Sequence, residues 1–271
     1  MEKAKKTHKK LWITLTAVVV ILAILVFLVL GMLRGFDPGN ALYNDLMAKE
    51  AGNAATYDFD QIERLKGNPL EGKHLCVLGS SVTYGAASLQ NSLGEYFQQR
   101  FGMELTKEAV SGTTLADKGG SSYVDRIQDI DKDADIDLFI CQLSTNDATL
   151  NRPLGDISKD GNFDVTTTTG AMEYIITYAR DTWNCPVLFY TGSYFDDEDY
   201  AAQVDRLMEL KEKYDIGVLD LWHSKKFNDI TPEQRELYMH DDIHPTKAGY
   251  REWWCPEMEK QLLAYYNTME K

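Results

Sequence analysis

The sequence predicts an α/β domain on a five-stranded parallel sheet, set behind one membrane-length helix. Three observations carry that expectation. From Lys73 onward, apolar runs of strand length alternate with amphipathic segments of helix length, the order expected of a parallel sheet covered by helices on both faces and wound right-handed. The apolar runs lack polar alternation, as strands buried on both faces do. Ahead of them, Leu11 to Leu33 form an uncharged, almost wholly apolar run of 23 residues, enough for a helix to cross the hydrocarbon of a bilayer.

The N-terminal part follows from its charges. Lys3, Lys5, Lys6, Lys9 and Lys10 precede the apolar run and only Arg34 follows closely. Residues 1–10 therefore read as a cytoplasmic basic tail, 11–33 as a single-pass signal-anchor helix in the cell membrane, and everything beyond as extracytoplasmic. A cleavable signal peptide would have a shorter apolar region ending in a small-x-small site, and Gly31-Met32-Leu33-Arg34-Gly35 offers no good one. Residues 34–72 read as a spacer, opening with Gly35-Phe36-Asp37-Pro38-Gly39 and closing with Gly67-Asn68-Pro69-Leu70-Glu71-Gly72. Within it Asn40 can cap a short helix that carries Leu42, Leu46 and Met47 on one side.

Residues 73–271 make up the domain proper. Its strands are expected at His74–Gly79, Glu104–Val110, Ile136–Leu143, Pro186–Tyr190 and Ile216–Leu221, and its helices at Gln90–Phe101, Tyr123–Ile130, Thr168–Trp183, Asp197–Tyr214 and Thr246–Tyr266. Pro245 suits the opening of the last helix, since its missing N–H would be unpaired there, and Pro256 predicts a kink or a fresh start near Cys255. The stretch Asn151 to Thr167 is long for a loop in a compact domain, and such loops often edge a site.

Composition excludes several classes of function. Six of the 28 basic residues and one of the 42 acidic residues fall in the first 34, so the remainder carries a formal charge of −19. Such a body repels phosphate backbones, so nucleic acid is not expected as a partner and a highly anionic substrate is disfavoured. The four cysteines, Cys76, Cys141, Cys185 and Cys255, form no C-x-x-C pair. They are too few for a disulfide scaffold. Cys76 and Cys141 lie in strand-like runs and read as buried thiols, while bridging of Cys185 and Cys255 is open.

The first strand runs into Gly79-Ser80-Ser81-Val82-Thr83-Tyr84-Gly85. Small residues there must turn sharply, which delivers a serine to the rim where parallel sheets bind ligands. The plainer reading is a turn whose serines cap the next helix. The sharp elbow Gly-x-Ser-x-Gly is not met, because Thr83 stands where its second glycine belongs. A serine hydroxyl needs a base to accept its proton. Of five histidines, His240 and His244 lie in Tyr238-Met239-His240-Asp241-Asp242-Ile243-His244-Pro245, where Asp241 and His244 are spaced to share one face of a helical turn. A carboxylate so placed can fix the imidazole tautomer and leave the other nitrogen for the serine. Donors for an oxyanion would come from the turns after the second and third strands, through the Gly112 backbone and the Asn146 side chain.

Taken together, Gly-x-Ser-φ-Thr-x-Gly, then Gly112, then Ser144-Thr145-Asn146-Asp147, then Asp241-x-x-His244-Pro245 resemble the SGNH or GDSL-like hydrolase superfamily from about Leu75 to the end. The resemblance implies a flavodoxin-like three-layer α/β/α domain that hydrolyses esters without a metal or other cofactor. It implies Ser81 as nucleophile, Asp241 and His244 as its partners, and an oxyanion hole of Ser81 N–H, Gly112 N–H and Asn146. Ser80 departs from the Gly-Asp-Ser signature, and Ser144 from the Gly-x-Asn-Asp glycine. Neither change removes a catalytic group. The expected function is a membrane-anchored serine esterase acting on a small acyl group, acetyl above all, carried by a small molecule or a carbohydrate. Tyr84, Tyr194 and Trp222 near strand ends suit sugar stacking, although such residues more often pack as core. The alternatives are an acyltransferase modifying envelope polysaccharide with the same residues, a lipase or lysophospholipase, a metal-dependent hydrolase using His240-x-x-x-His244, and a silent tethered binding module. No third metal ligand is evident beside the two histidines.

Overall fold

The computed structural model describes residues 2–34 and 37–269. Gly35 and Phe36, where the spacer is expected to open, lie outside the described residues, as do Met1, Glu270 and Lys271. The chain falls into two units, residues 1–46 and 47–271. The first holds α1 (Glu2–Arg34), a continuous helix whose stretch Trp12–Gly31 is 20 residues long, exposed, and apolar enough to cross a membrane. It also holds most of α2 (Gly39–Met47), the short helix expected after Asn40.

In the second unit five parallel strands form one sheet: β1 (His74–Gly79), β2 (Glu104–Ala109), β3 (Leu138–Gln142), β4 (Val187–Tyr190) and β5 (Gly217–Leu219), in the order β2-β1-β3-β4-β5. That is the flavodoxin-like order, in which the chain reverses its direction of travel across the sheet between β1 and β3. β1 is central, with Leu75 beside Leu105 on one side and Leu138 on the other. Each strand sits inside its expected range, and β3 and β5 are shorter than expected at both ends.

Burial on both faces follows the strand period of two. On one face Cys76, Leu78, Phe139, Cys141 and Phe189 pack with Ile175, Ile176, Val204 and Leu207, which come from α7 (Thr168–Trp183) and α8 (Glu198–Tyr214). On the other, Leu75, Val77, Ile140 and Leu188 pack with Phe97, Phe101, Met258 and Leu262, which come from α4 (Leu93–Phe101) and α11 (Cys255–Met269). The layers are therefore helix, sheet and helix, as expected. α4 starts later than the pattern suggests, because Ser92 and Glu95 form a capping box there. The last helix does break near Cys255. Gly249–Trp254 form a wide π-type turn before α11, and Pro256 lacks the N–H that an unbroken helix would need. All four cysteines are free and buried.

The sequence draws a boundary at residue 73, whereas the compact unit begins at Met47. Phe59 and Leu70 are buried in the same cluster as Tyr96 and Phe97. Asn53 donates to the carbonyls of Met47 and Ala87 at 2.9 and 2.8 Å and accepts from Lys247 N–H at 2.9 Å. Residues 47–72 contain three short 3-10 turns and little amphipathic period, so their burial leaves almost no periodic trace in the sequence.

Candidate active site

β1 ends at Gly79, Ser80 takes the N-cap position, and α3 (Ser81–Tyr84) begins with Ser81. The turn is held from below by Gln142, the last residue of β3. Its Oε1 accepts from Ser80 N–H at 2.9 Å, Thr83 N–H at 3.2 Å and Thr83 Oγ1 at 2.9 Å. Thr83 Oγ1 also meets Tyr190 OH at 2.7 Å. A Cβ on Gly79 would stand 1.8 Å from Thr83 Oγ1, so the glycine makes room for the threonine. This explains why Thr83 occupies the place of an elbow glycine: it is a buried peg under the turn. Gly85, at φ +77°, closes α3.

Asp241 and His244 do not lie on a helical turn. They sit in a tight hairpin after α10 (Pro232–Tyr238), closed by an antiparallel bridge between Met239 and Pro245 and by His240 N–H donating to His244 O at 2.9 Å. Asp241 Oδ1 caps the loop by accepting from Ile243 N–H at 2.8 Å and His244 N–H at 2.7 Å. A spacing of three suits this aspartate turn as well as it suits a helix, and Pro245 favours extended backbone just before it. The imidazole is gripped at both ends. Nδ1 lies 2.8 Å from Asp241 Oδ2, and Nε2 lies 2.7 Å from Ser81 Oγ. Partial burial opposes ionisation of Asp241, yet the His244 ring and the two backbone N–H groups outweigh it and hold the carboxyl well below the usual range.

Gly112 adopts φ +78° with open space where a side chain would stand, and α6 (Thr145–Thr149) carries Asn146. Asn146 Nδ2 donates to Thr113 O at 2.8 Å, which brings the amide against the Gly112 turn. The backbone N–H groups of Ser81 and Gly112 make no hydrogen bond among the described residues. Two residues that the sequence did not single out hold this turn in place. Asp147, fully buried, accepts from Leu115 N–H at 2.7 Å and Ala116 N–H at 2.9 Å, and burial pushes its carboxyl up. Arg126, on α5 (Tyr123–Arg126), donates to Gly79 O at 2.8 Å and Thr113 Oγ1 at 2.9 Å, tying the end of β1 to the loop after β2.

His240 and His223 are engaged elsewhere. His240 Nδ1 lies 2.5 Å from Glu50 Oε1, and His223 Nδ1 lies 2.8 Å from Asp220 Oδ2. Among the described residues no three His, Cys, Asp or Glu side chains gather in a way that could hold a metal ion.

A serine, an imidazole and a carboxylate thus stand in contact at the topological switch point of a doubly wound sheet, the place where such α/β folds bind ligands. Residues 77–252 match the GDSL-like lipase/acylhydrolase family, and the chain belongs to it as an ester-hydrolysing enzyme. No curated protein matches the chain in sequence. Among solved structures, a protein from Lactobacillus plantarum is similar at 21% identity and TM-score 0.57, covering 73% of this chain and 98% of its own. A candidate GDSL-like lipase from Bacteroides ovatus is similar at 20% identity and TM-score 0.53, with 73% and 99% covered. A candidate lipolytic protein of the G-D-S-L family from Desulfitobacterium hafniense is similar at 15% identity and TM-score 0.54, with 72% and 99% covered. At these identities the likeness is one of fold.

Proposed function

We propose that the chain is a membrane-anchored, extracytoplasmic serine esterase that removes small acyl groups, acetyl above all, from carbohydrate. The observation that carries this reading is the unbroken contact from Ser81 Oγ through His244 to Asp241. His244 Nε2 takes the Ser81 proton as Oγ bonds to the acyl carbon. Asp241 holds the Nδ1 proton in place and offsets the charge on the imidazolium. The oxyanion is met by the Ser81 and Gly112 N–H groups and the Asn146 amide. The tetrahedral adduct then collapses, and the sugar oxygen leaves with the proton from His244. Water, deprotonated in turn by His244, releases the acid and restores Ser81. None of these steps calls on a metal or other cofactor.

Small acyl groups are supported by how little room lies next to Val82 and Ile243, the chain neighbours of Ser81 and His244. The pocket lined by Val82, Leu143, Thr145, Ser193 and Ile243 has about 10 Å³ of free volume, room for about one water-sized group. Orientation in the membrane is supported by the five lysines ahead of α1 against the single Arg34 behind it.

The test is p-nitrophenyl acetate turnover by the full chain in detergent. Ser81→Ala should lower kcat/KM by about 10³-fold or more, and acetyl esters should outrun butyryl and octanoyl ones. Equal rates for wild type and Ser81→Ala would remove the serine from the reaction. A preference for octanoyl would move the reading to a lipase, and transfer of acetyl to a sugar in place of water would make the chain an acyltransferase.

A further inference from the structure

Among the described residues of the compact unit, Leu150 and Tyr194 alone leave a large apolar side chain about half exposed, at 51% each. Tyr194 stands out because its surroundings are built to hold it still. It lies in the loop after β4, and its N–H donates to Asn228 Oδ1 at 2.9 Å. The Asn228 amide in turn donates to Leu221 O at 2.8 Å, Trp222 O at 3.2 Å and Ser224 O at 3.0 Å, so one side chain fastens the loops after β4 and β5 together. Beneath the Tyr194 ring lies Trp222, buried, with ring centroids 5.0 Å apart. Trp222 is itself backed by Phe195 and Tyr200. The exposed phenol is thus the outer member of a cluster of tilted and edge-on rings that goes down into the core. An unsupported surface tyrosine needs none of this.

Tyr194 and Trp222 form one wall of an open cleft of about 820 Å³, whose rim also carries His223, Lys225, Lys226 and Asp229. The cleft lies on the same strand-end rim as Ser81. β4 is two strands from β1, about 10 Å. Gly192 and Ser193, just before Tyr194, line the small pocket that also touches Val82 and Ile243. One loop therefore borders the small pocket next to Val82 with its first residues and the outer cleft with Tyr194.

We infer that Tyr194, tilted at 49° against Trp222, is the platform of a glycan subsite that seats a sugar ring of the substrate beside the acyl-bearing unit. This rests on the carbohydrate-ester reading above and names where the alcohol part of the substrate binds. A flat aromatic face ringed by hydrogen-bonding groups fits a pyranose, which offers a C–H face bordered by hydroxyls. Lys225, Lys226 and Asp229 supply donors and acceptors for the hydroxyls, and the pinned backbone means little ordering is required on binding.

The experiment separates the subsite from the chemistry. Binding of xylohexaose, cellohexaose, mannohexaose and chitohexaose is followed by tryptophan fluorescence on the full chain carrying Ser81→Ala, with and without Tyr194→Ala or Tyr194→Phe. At least one hexaose should bind. Tyr194→Ala should weaken it about fivefold or more, and Tyr194→Phe should keep it within about twofold, because the ring face is retained. In the chain with Ser81 intact, Tyr194→Ala should leave p-nitrophenyl acetate kcat/KM within about twofold, since that ester does not reach the cleft. Absence of binding by all four sugars, or equal binding by the tyrosine and alanine forms, would overturn the subsite. A fall in p-nitrophenyl acetate turnover matching the fall in sugar binding would also overturn it, by making Tyr194 a support of the loop. Failure of the esterase reading is seen separately, in turnover that survives Ser81→Ala.

Discussion

Ser81 and His244 meet at 2.7 Å, but the segments that bring them there are held in opposite ways. The Ser81 turn is buried: Ser80, Thr83 and Gln142 have almost no exposure, and one amide oxygen serves several donors beneath Ser81. The hairpin is a surface structure, with the Asp241 side chain 47% exposed and that of His244 24%. Its order comes from short-range bonds, the Met239–Pro245 bridge and the Asp241 cap, and from the lead-in pressed against it. A Cβ on Gly52 would stand 2.1 Å from Leu237 O, so the chain entering the domain lies flush with the base of the hairpin. Geometry and stability are therefore coupled at the serine and separable at the histidine. A variant in the hairpin should lose rate and keep its fold, whereas one under the serine turn should lose both.

The largest expected effect is on rate alone. Asp241→Asn keeps an oxygen to cap the hairpin but offers His244 Nδ1 either the wrong partner or a neutral one. We expect kcat/KM for p-nitrophenyl acetate to fall by about 10³-fold, with a melting temperature at neutral pH lowered only modestly, as an exposed pair allows. The acid side sharpens this. Because Asp241 ionises below its ordinary range in the folded chain, its contribution to stability is present at neutral pH, begins to fade below about pH 4, where the unfolded carboxyl takes up a proton, and is lost as pH falls through the lower folded value. Thermal melts of wild type and Asp241→Asn should converge as pH drops through that window. A gap that persists unchanged would mean that the hairpin is held by something other than the carboxylate.

Gln142→Leu should strike the other region. Leucine fills the same buried space and leaves Ser80 N–H, Thr83 N–H and Thr83 Oγ1 without their acceptor. Stranding buried donors costs about 1–3 kcal/mol each, less what relaxation and water recover, so a loss of about 2–4 kcal/mol in denaturant unfolding is expected, together with a lower kcat. A Gln142→Leu protein that keeps full stability and rate would mean that the serine turn is set by α3 alone, and the contrast with the hairpin would disappear.

These two residues mark the limit of what the sequence made legible. Strand ends, the order of layers and the positions of Ser81, Asn146, Asp241 and His244 could be read because apolar runs and short polar motifs are local signals. Gln142 closes an apolar strand, where a polar residue looks like a boundary and nothing local points to Ser80, 62 residues away. Arg126 occupies an amphipathic segment, where arginine ordinarily marks the solvent face, yet it is 5% exposed. Asp147 is adjacent to Asn146 in the motif, and only the fold reveals that it grips the loop after β2. For the hairpin, a spacing of three fitted two geometries, and the Met239–Pro245 pairing that decides between them is a matter of how the chain folds back.

The smallest expected effect tests which histidine matters. His240 and His244 are four apart in one hairpin, and each has a ring nitrogen against a carboxylate. Only His244 reaches Ser81. His240 instead meets Glu50 of the lead-in, with side chains 32% and 28% exposed. His240→Ala should therefore cost about 1 kcal/mol or less in stability and leave turnover within about threefold of wild type. A drop comparable to that of Asp241→Asn would shift the weight of the site onto His240 and the lead-in. The division between a rigid serine turn and a locally supported histidine hairpin would then give way to a hairpin whose function depends on residues that arrive before the first strand.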